Sequence, residues 1–450
     1  MKRCAMIGLA LVAGAAFGQA RERVSPYMQR TDPQDWVLRS SVGLYPITER
    51  RAYSCSNGSI TLNPTTYDPG HAVRGVEQGS IFFPLAMHTG SSELDPRSIS
   101  AKLLIAGEPV RLKQTIIDRD ASDDPLHSGA AYGDWSFGDL ETMPLALVFT
   151  VETRMRCWNT EFDEASAMRV PWPKGEWPKV AASTFEPMLF VDEGYDGPYD
   201  KKFVTRLADR LTNGQTKTQP PMVVAKWIAG ELAKSFQPQG NGIVADAVPA
   251  TGTQSGQSIG AISAIEVVGA AESAKRGKGS PFDLPLLLDA VYHEVGLPSR
   301  VVIGYVAGGA GGDQEAFRAL DRPEVGLYAW VEVALYDESQ PRPDQQLTWV
   351  PVNILRIRGE GAFRRPLDQP WPGFGSDDQL NEILPISFHL HPHRMGAIAY
   401  GMSSRRKPRP ALWGWNLVPN TPDAVRQVLA FSATSPAIGP GDNQRNRRGQ

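Results

Sequence analysis

Cysteine is scarce in this 450-residue chain: there are three, and Cys4 lies within the first twenty residues. The other two, Cys55 and Cys157, are too few for a disulfide framework and form no CxxC pair. Histidine is also sparse, at seven residues. Beyond residue 20, no apolar run approaches the roughly 20 residues that a membrane-spanning helix needs. Neither sign of charge prevails. The 46 Lys and Arg face 49 Asp and Glu for a net charge of −3, which excludes a bulk nucleic-acid binder. No phosphate loop or dinucleotide fingerprint occurs, and no cofactor is implied. Apolar residues make up 41% of the chain, enough to bury a core of ordinary size, so wholesale disorder is excluded. With 43 Gly and 37 Pro, many turns and several long loops are expected.

The first twenty residues have a basic start (Lys2, Arg3), an apolar stretch from Ala5 to about Phe17, and small residues at Gly18 and Ala20. This is the pattern of a secretory signal cleaved near Ala20, so 1–20 is read as a signal peptide and the mature chain as exported, periplasmic or extracellular. An oxidising compartment makes a Cys55–Cys157 disulfide the natural hypothesis, and two unrelated buried thiols the equal alternative.

Residues 21–35 are polar and turn-rich. From 36 to 180, short alternating or β-branched runs such as VGLYPI, SIFFPL, ISAKLLIAG and LALVFTVETRMRCW predict an antiparallel, sandwich-like β domain. The Pro-rich VPWPKGEWPKV (170–180) reads as a stiff connector. Helices are expected in YDKKFVTRLADRLTNG, ending at Asn213-Gly214, and in PPMVVAKWIAGELAKSF, with Val223, Trp227, Ile228 and Leu232 on its apolar face. A Gly, Gln, Ser and Thr-rich loop (237–263) follows, which could lie over a cleft. Next come a helical stretch AIEVVGAAESAKRG and an apolar helix in GSPFDLPLLLDAVYHEVGLPSR that closes at Gly296. Three strands follow, at 300–308, 327–336 and 346–355. A helix packed on an antiparallel sheet is the economical arrangement, and the overall class is α+β. Residues 361–432 form a C-terminal extension packed on the core, and 433–450 a polar tail expected to be disordered.

The order of segments from Gly279 to Leu355 resembles the transglutaminase-like superfamily, which has a papain-like fold. The matching residues are Gly279-Ser280-Pro281, then Gly296-Leu297-Pro298-Ser299-Arg300, then Val302-Ile303-Gly304-Tyr305, then Tyr328-Ala329-Trp330-Val331-Glu332-Val333, then Trp349-Val350-Pro351-Val352-Asn353. The resemblance covers about 185–360 and implies a transglutaminase-like helix-plus-sheet domain there. It also implies a nucleophile at 281, a base at 328 and an orienting carboxylate at 353, where the family has Cys, His and Asp. This chain has Pro281, Tyr328 and Asn353. Proline has neither a nucleophilic side chain nor an N–H for an oxyanion. A phenol, with a reference pKa near 10, is ionised to about 0.1% at neutral pH and is a poor base. Asparagine has no charge to stabilise an imidazolium. Tyr328 and Asn353 could instead pair with each other. Ser280, Pro281 and Asp283 read as an acidic capping box at the helix start.

The resemblance therefore implies a pseudoenzyme that binds or scaffolds a peptide, protein or envelope polymer. The competing reading is an active amidase, peptidase or acyltransferase rebuilt around Ser280 or other residues. Cleft candidates are Trp330, Trp349, Arg300 and Glu332, with a basic rim at Lys275, Arg276 and Lys278. His389, His391 and His393 alternate as metal ligands would on an extended segment, although a solvent-facing loop is the commoner case. His293 falls off the apolar stripe of its helix and is expected at the surface.

Overall fold

Strands that alternate buried and exposed side chains, and others buried on both faces, make up much of the molecule, a computed structural model describing residues 21–46, 53–56, 59–62, 75–118, 129–188, 190–194, 197–198, 200–240, 242–245, 262–307, 326–388, 402–404, 407–409, 414–418 and 425–436. Strands β1 (Met28–Pro46), β2 (Gln78–Ala86), β3 (Ser92–Ile105), β4 (Lys113–Asp118), β5 (Ala130–Phe137) and β6 (Leu147–Phe162) come first. Helices α1 (Lys202–Thr212), α2 (Pro221–Ser235), α3 (Ala270–Arg276) and α4 (Asp283–Glu294) follow. Then come β7 (Ser299–Val306), β8 (Leu327–Tyr336), β9 (Leu347–Val352), α5 (Ile354–Gly359), β10 (Ile383–Phe388), β11 (Gly414–Val418) and β12 (Val425–Thr434). The ladders between these strands are antiparallel, and the class is α+β.

A large sheet is built on β12-β1-β6-β3, with short strands at its margins. A second sheet runs β11-β2-β5-β4. Every second residue of β5 is buried, and Trp135 meets Phe149 of β6 with ring centroids 5.2 Å apart, so the two sheets share a core. The structure extends β1 into 28–35, which the sequence presents as turn-rich. Its polar residues are held in the strand by pairing, from Met28 opposite Phe162 to Gln34 opposite Cys157. Pro33 is tolerated because the ladder skips between Cys157 and Asn159, next to Asp32 at φ 50°, and because β12 covers only Val37 to Pro46.

The third sheet, β9-β8-β7-β10, carries α4 through a hydrogen bond from Ser299 Oγ to Asp289 Oδ1 (2.6 Å). Tyr292 Oη of α4 donates to Ala225 O of α2 (2.8 Å). Two expectations about the helices change. AIEVV is not helical: Ile262–Glu266 is a strand, with Ile265 and Val267 buried, and α3 starts only at Ala270. Trp227 does not belong to the buried face of α2. It is 42% exposed and its indole donates to Leu211 O, while Met222, Val224, Ala225, Ile228 and Leu232 are buried. Residues after 361 supply a strand to each of the three sheets. The expected tail (433–450) begins too early, since Ala433 and Thr434 pair with Leu38 and Val37 as the end of β12; its residues from 437 onward, the expected leader (1–20), and 246–261 within the 237–263 loop lie outside the described residues.

Candidate functional site

The start of α4 is organised by Asp283, whose side chain is fully buried. Its carboxylate accepts from Ser280 N (2.7 Å), Gly269 N (2.8 Å) and Val268 N (2.9 Å), while Ser280 Oγ accepts from Asp283 N (3.3 Å). The reciprocal Ser280–Asp283 bonds have the pattern of a capping box, here on the turn 280–283 that leads into α4, whose own N-cap position is Phe282. Burial pushes the Asp283 pKa up to about 6, against the donated N–H bonds. Ser280 is only 7% exposed, and Pro281 beside it is buried.

Tyr328 enters from β8, and Asn353 sits between β9 and α5 as the N-cap of that helix. Tyr328 Oη donates to Asn353 Oδ1 at 2.5 Å, and both side chains are buried. The same Oδ1 accepts from Arg356 N (3.2 Å), and Nδ2 donates to Asp377 Oδ2 (2.8 Å). Arg356 closes the network on Asp377 Oδ1 at 2.6 Å, with Glu360 and Asp378 beside it. Asp377 is in turn tied to β6 by paired backbone bonds with Thr160, each 3.0 Å. The structure thus brings Tyr328 and Asn353 together and attaches them to the large sheet.

The four cleft candidates are all buried, none more than 6% exposed, and they bind parts of the molecule together rather than lining an open rim. Arg300 Nε and Nη2 donate to Glu332 Oε2 (2.9 and 2.7 Å). The guanidinium lies 4.1 Å from the Trp349 ring centroid and 4.0 Å from that of Phe388. Trp330 packs beside Gly304, where a Cβ would lie 2.8 Å from Leu384 O and 3.1 Å from the indole. Glycine in the Val-Ile-Gly-Tyr segment is therefore required by close approach. The basic run turns back on its own helix: Lys275 and Arg276 both pair with Glu272.

His293 is not at the surface. Its side chain is 6% exposed and lies between Asp192 and Asp289, a correction that the helical stripe could not anticipate because Asp192 arrives from a distant turn. Cys157 is a buried thiol, free in this structure, and burial pushes its pKa well up. The side chain of Cys55 and residues His389, His391 and His393 lie outside the described residues. Among the described residues, no group of His, Cys, Asp and Glu is placed to hold a metal ion, and no helix is long and apolar enough to cross a membrane.

Sequence reasoning missed Asp377 and Arg356, which complete the Asn353 network. It also missed the buried Lys226–Glu164 pair, in which Lys226 Nζ further donates to Gln369 O (2.7 Å) and Leu367 O (3.0 Å). A lysine within the apolar face of α2 was the one local signal available.

No protein-family model matches the chain, and no curated protein sequence matches it. Among solved structures it is similar to the "putative cysteine protease" from Cytophaga hutchinsonii, at 9% identity over 92% of this chain and 94% of that one, with a TM-score of 0.46. It is also similar to the "putative protease" from Parabacteroides distasonis, at 12% identity over 71% of this chain and 63% of that one, with a TM-score of 0.20. At these scores neither similarity extends the fold or the chemistry beyond what the chain itself displays.

Proposed function

We propose that this chain is an exported transglutaminase-like protein that has lost its catalytic triad and binds or scaffolds a peptide, protein segment or envelope polymer without cutting or joining it. The observation that carries this reading is the Tyr328–Asn353 hydrogen bond. At the positions matching the family's base and orienting carboxylate, a phenol and an amide are bonded to each other, and Asn353 is further committed to Arg356 and Asp377. Neither group is suited to take a proton from a nucleophile at neutral pH. At the nucleophile position, Pro281 has no group to attack with, and Ser280 is part of a helix cap.

The test pairs turnover with binding. Purified protein is incubated with chromogenic amides, an amine acceptor and a fluorophosphonate probe, and separately sedimented with purified cell-wall sacculi and titrated with labelled peptides. The expected outcome is no turnover and no label, with saturable binding to sacculi or peptide. Turnover or labelling that disappears in Ser280→Ala would overturn the proposal in favour of a rebuilt hydrolase or acyltransferase. Absence of both turnover and binding would overturn the binding role.

A further inference from the structure

The C-terminal end of α4 holds a second group of buried polar side chains that the site above does not use. His293 Nδ1 lies 3.5 Å from Asp192 Oδ2, and Nε2 lies 3.7 Å from Asp289 Oδ1 and 3.1 Å from Ser299 O. Asp192 and Asp289 are both buried. The ring of Phe185 stands edge-on to the imidazole, with centroids 5.5 Å apart. A protonated imidazole between the two carboxylates offsets part of their charge, alongside Lys201 at Asp192 and the Ser299 hydroxyl at Asp289.

Asp192 belongs to a turn under strain. Phe190, buried at its centre, has φ 67°, the left-handed region that a bulky residue seldom adopts. The turn is closed by Asp192 N and Val191 N donating to Met188 O, and by Met188 N donating to Asp192 Oδ2 (3.1 Å). Asp192 Oδ1 accepts from Lys201 Nζ at 3.0 Å, while the imidazole Nδ1 stands at ion-pair distance from Oδ2 without a hydrogen bond. The carboxylate that closes the strained turn is therefore the one that meets His293.

We propose that His293 is a proton-dependent latch: while its ring is protonated it clamps the turn at 188–192 onto α4, and loss of that proton releases the turn. The other groups around the ring cannot substitute for it. Lys201, at the start of α1, reaches Asp192 from the solvent side, and Asp289 is on α4 itself. Glu294, the next residue of α4, is exposed and accepts from Thr205 of α1. From β7 comes the uncharged Ser299, and from 183–185 the Phe185 ring. Burial opposes the charge, but Asp289 and Asp192 outweigh it and raise the His293 pKa to about 9. A raised histidine pKa contributes stability fully below the ordinary value of 6.5, and that stability is lost as pH rises through about 9.

The latch reaches the start of α4. Phe190 O accepts from Ala270 N (2.8 Å), and the two residues before Ala270, Val268 and Gly269, donate to the Asp283 carboxylate that caps Ser280. Opening of the turn withdraws one support from that cap.

Hydrogen exchange of the full chain, corrected for intrinsic rates, tests this between pH 7.5 and 9.5. Wild-type peptides covering 188–205 and 266–283 are expected to lose at least tenfold protection across that range, while α2 holds steady. In His293→Gln the same peptides should be poorly protected at both pH values. Unchanged wild-type protection at pH 9.5, or His293→Gln protected like wild type, would overturn the latch. If His293→Gln does not fold, Asp192→Asn decides by NMR of labelled histidine. The imidazole should be protonated at pH 7.5 in the wild type and titrate at lower pH in the variant; a neutral wild-type ring or an unmoved titration sinks the proposal.

Discussion

Asn353 bonds through both polar atoms of its side chain: the oxygen to Tyr328 and to the backbone of Arg356, the nitrogen to Asp377. A residue committed in this way orients a helix and a loop. Removing the phenol oxygen takes away one donor but leaves Asn353 Oδ1 with its bond to Arg356 N. Tyr328→Phe should therefore cost about 1 kcal/mol, read as a lower urea midpoint at unchanged m-value, with no acyl-transfer activity gained. A loss of 3 kcal/mol or more would mean that the phenol holds up much more of the site than its bond to Asn353.

At the scale of the elements, much was legible. Asn213-Gly214 stops α1, and Asn213 takes φ 50° with its N–H on Asp209 O. Gly296, at φ 80°, ends α4 while Leu297 N donates to Tyr292 O (2.8 Å). Strand β8 spans the predicted 327–336, because Tyr328, Trp330, Val331, Val333 and Tyr336 favour a strand and no Gly or Pro interrupts the run. What stayed hidden depends on partners far away in sequence. Nothing near Asp283 announces Val268 and Gly269, nothing near His293 announces Asp192, and 28–35 becomes strand only because β6 is there to pair with it. The possible pairing of Tyr328 with Asn353 could be read from the aligned motifs; its extension to Asp377 could not, since that residue returns from a loop with no pattern of its own. The α1 stop gives a local test. Asn213→Ala places a Cβ residue without asparagine's tolerance in the left-handed region and should cost about 1 kcal/mol, while Asn213→Gly should be neutral or slightly stabilising, both read from thermal melts. Equal melts for the two variants would show that α1 does not need this cap.

Across the whole molecule, residues 88–93 join the sheets. Arg30 of β1, almost entirely buried, donates to Gly90 O (3.0 Å) and Thr89 O (2.9 Å) and lies 4.5 Å from the Trp158 ring centroid. From the other side, Gly90 N donates to Glu332 Oε1 (2.8 Å), the partner of Arg300. Two buried guanidinium groups thus fix one loop between the large sheet and the third sheet. Arg300→Met leaves Glu332 as a buried charge without its counter-ion and should cost about 3–5 kcal/mol. Because the loop is shared, the loss should appear as one earlier transition, with tryptophan fluorescence and far-ultraviolet dichroism coincident in urea. Two separated transitions would show instead that the sheets unfold independently.

The placement of β12 beside β1 has a temporal side. Residues 37–46 leave the ribosome long before the strand that completes one edge of their ladder, which begins at Val425. At about 5–20 residues per second, that interval is roughly 20 to 80 s. Throughout it, the nascent β1 presents an open edge to any extended chain nearby. Within residues 37–46, Arg39 sets a charge on the edge and Pro46 has no N–H to offer, which makes it a poorer template for a stranger. Those two residues would keep the edge from premature partners until residues 425–434 arrive.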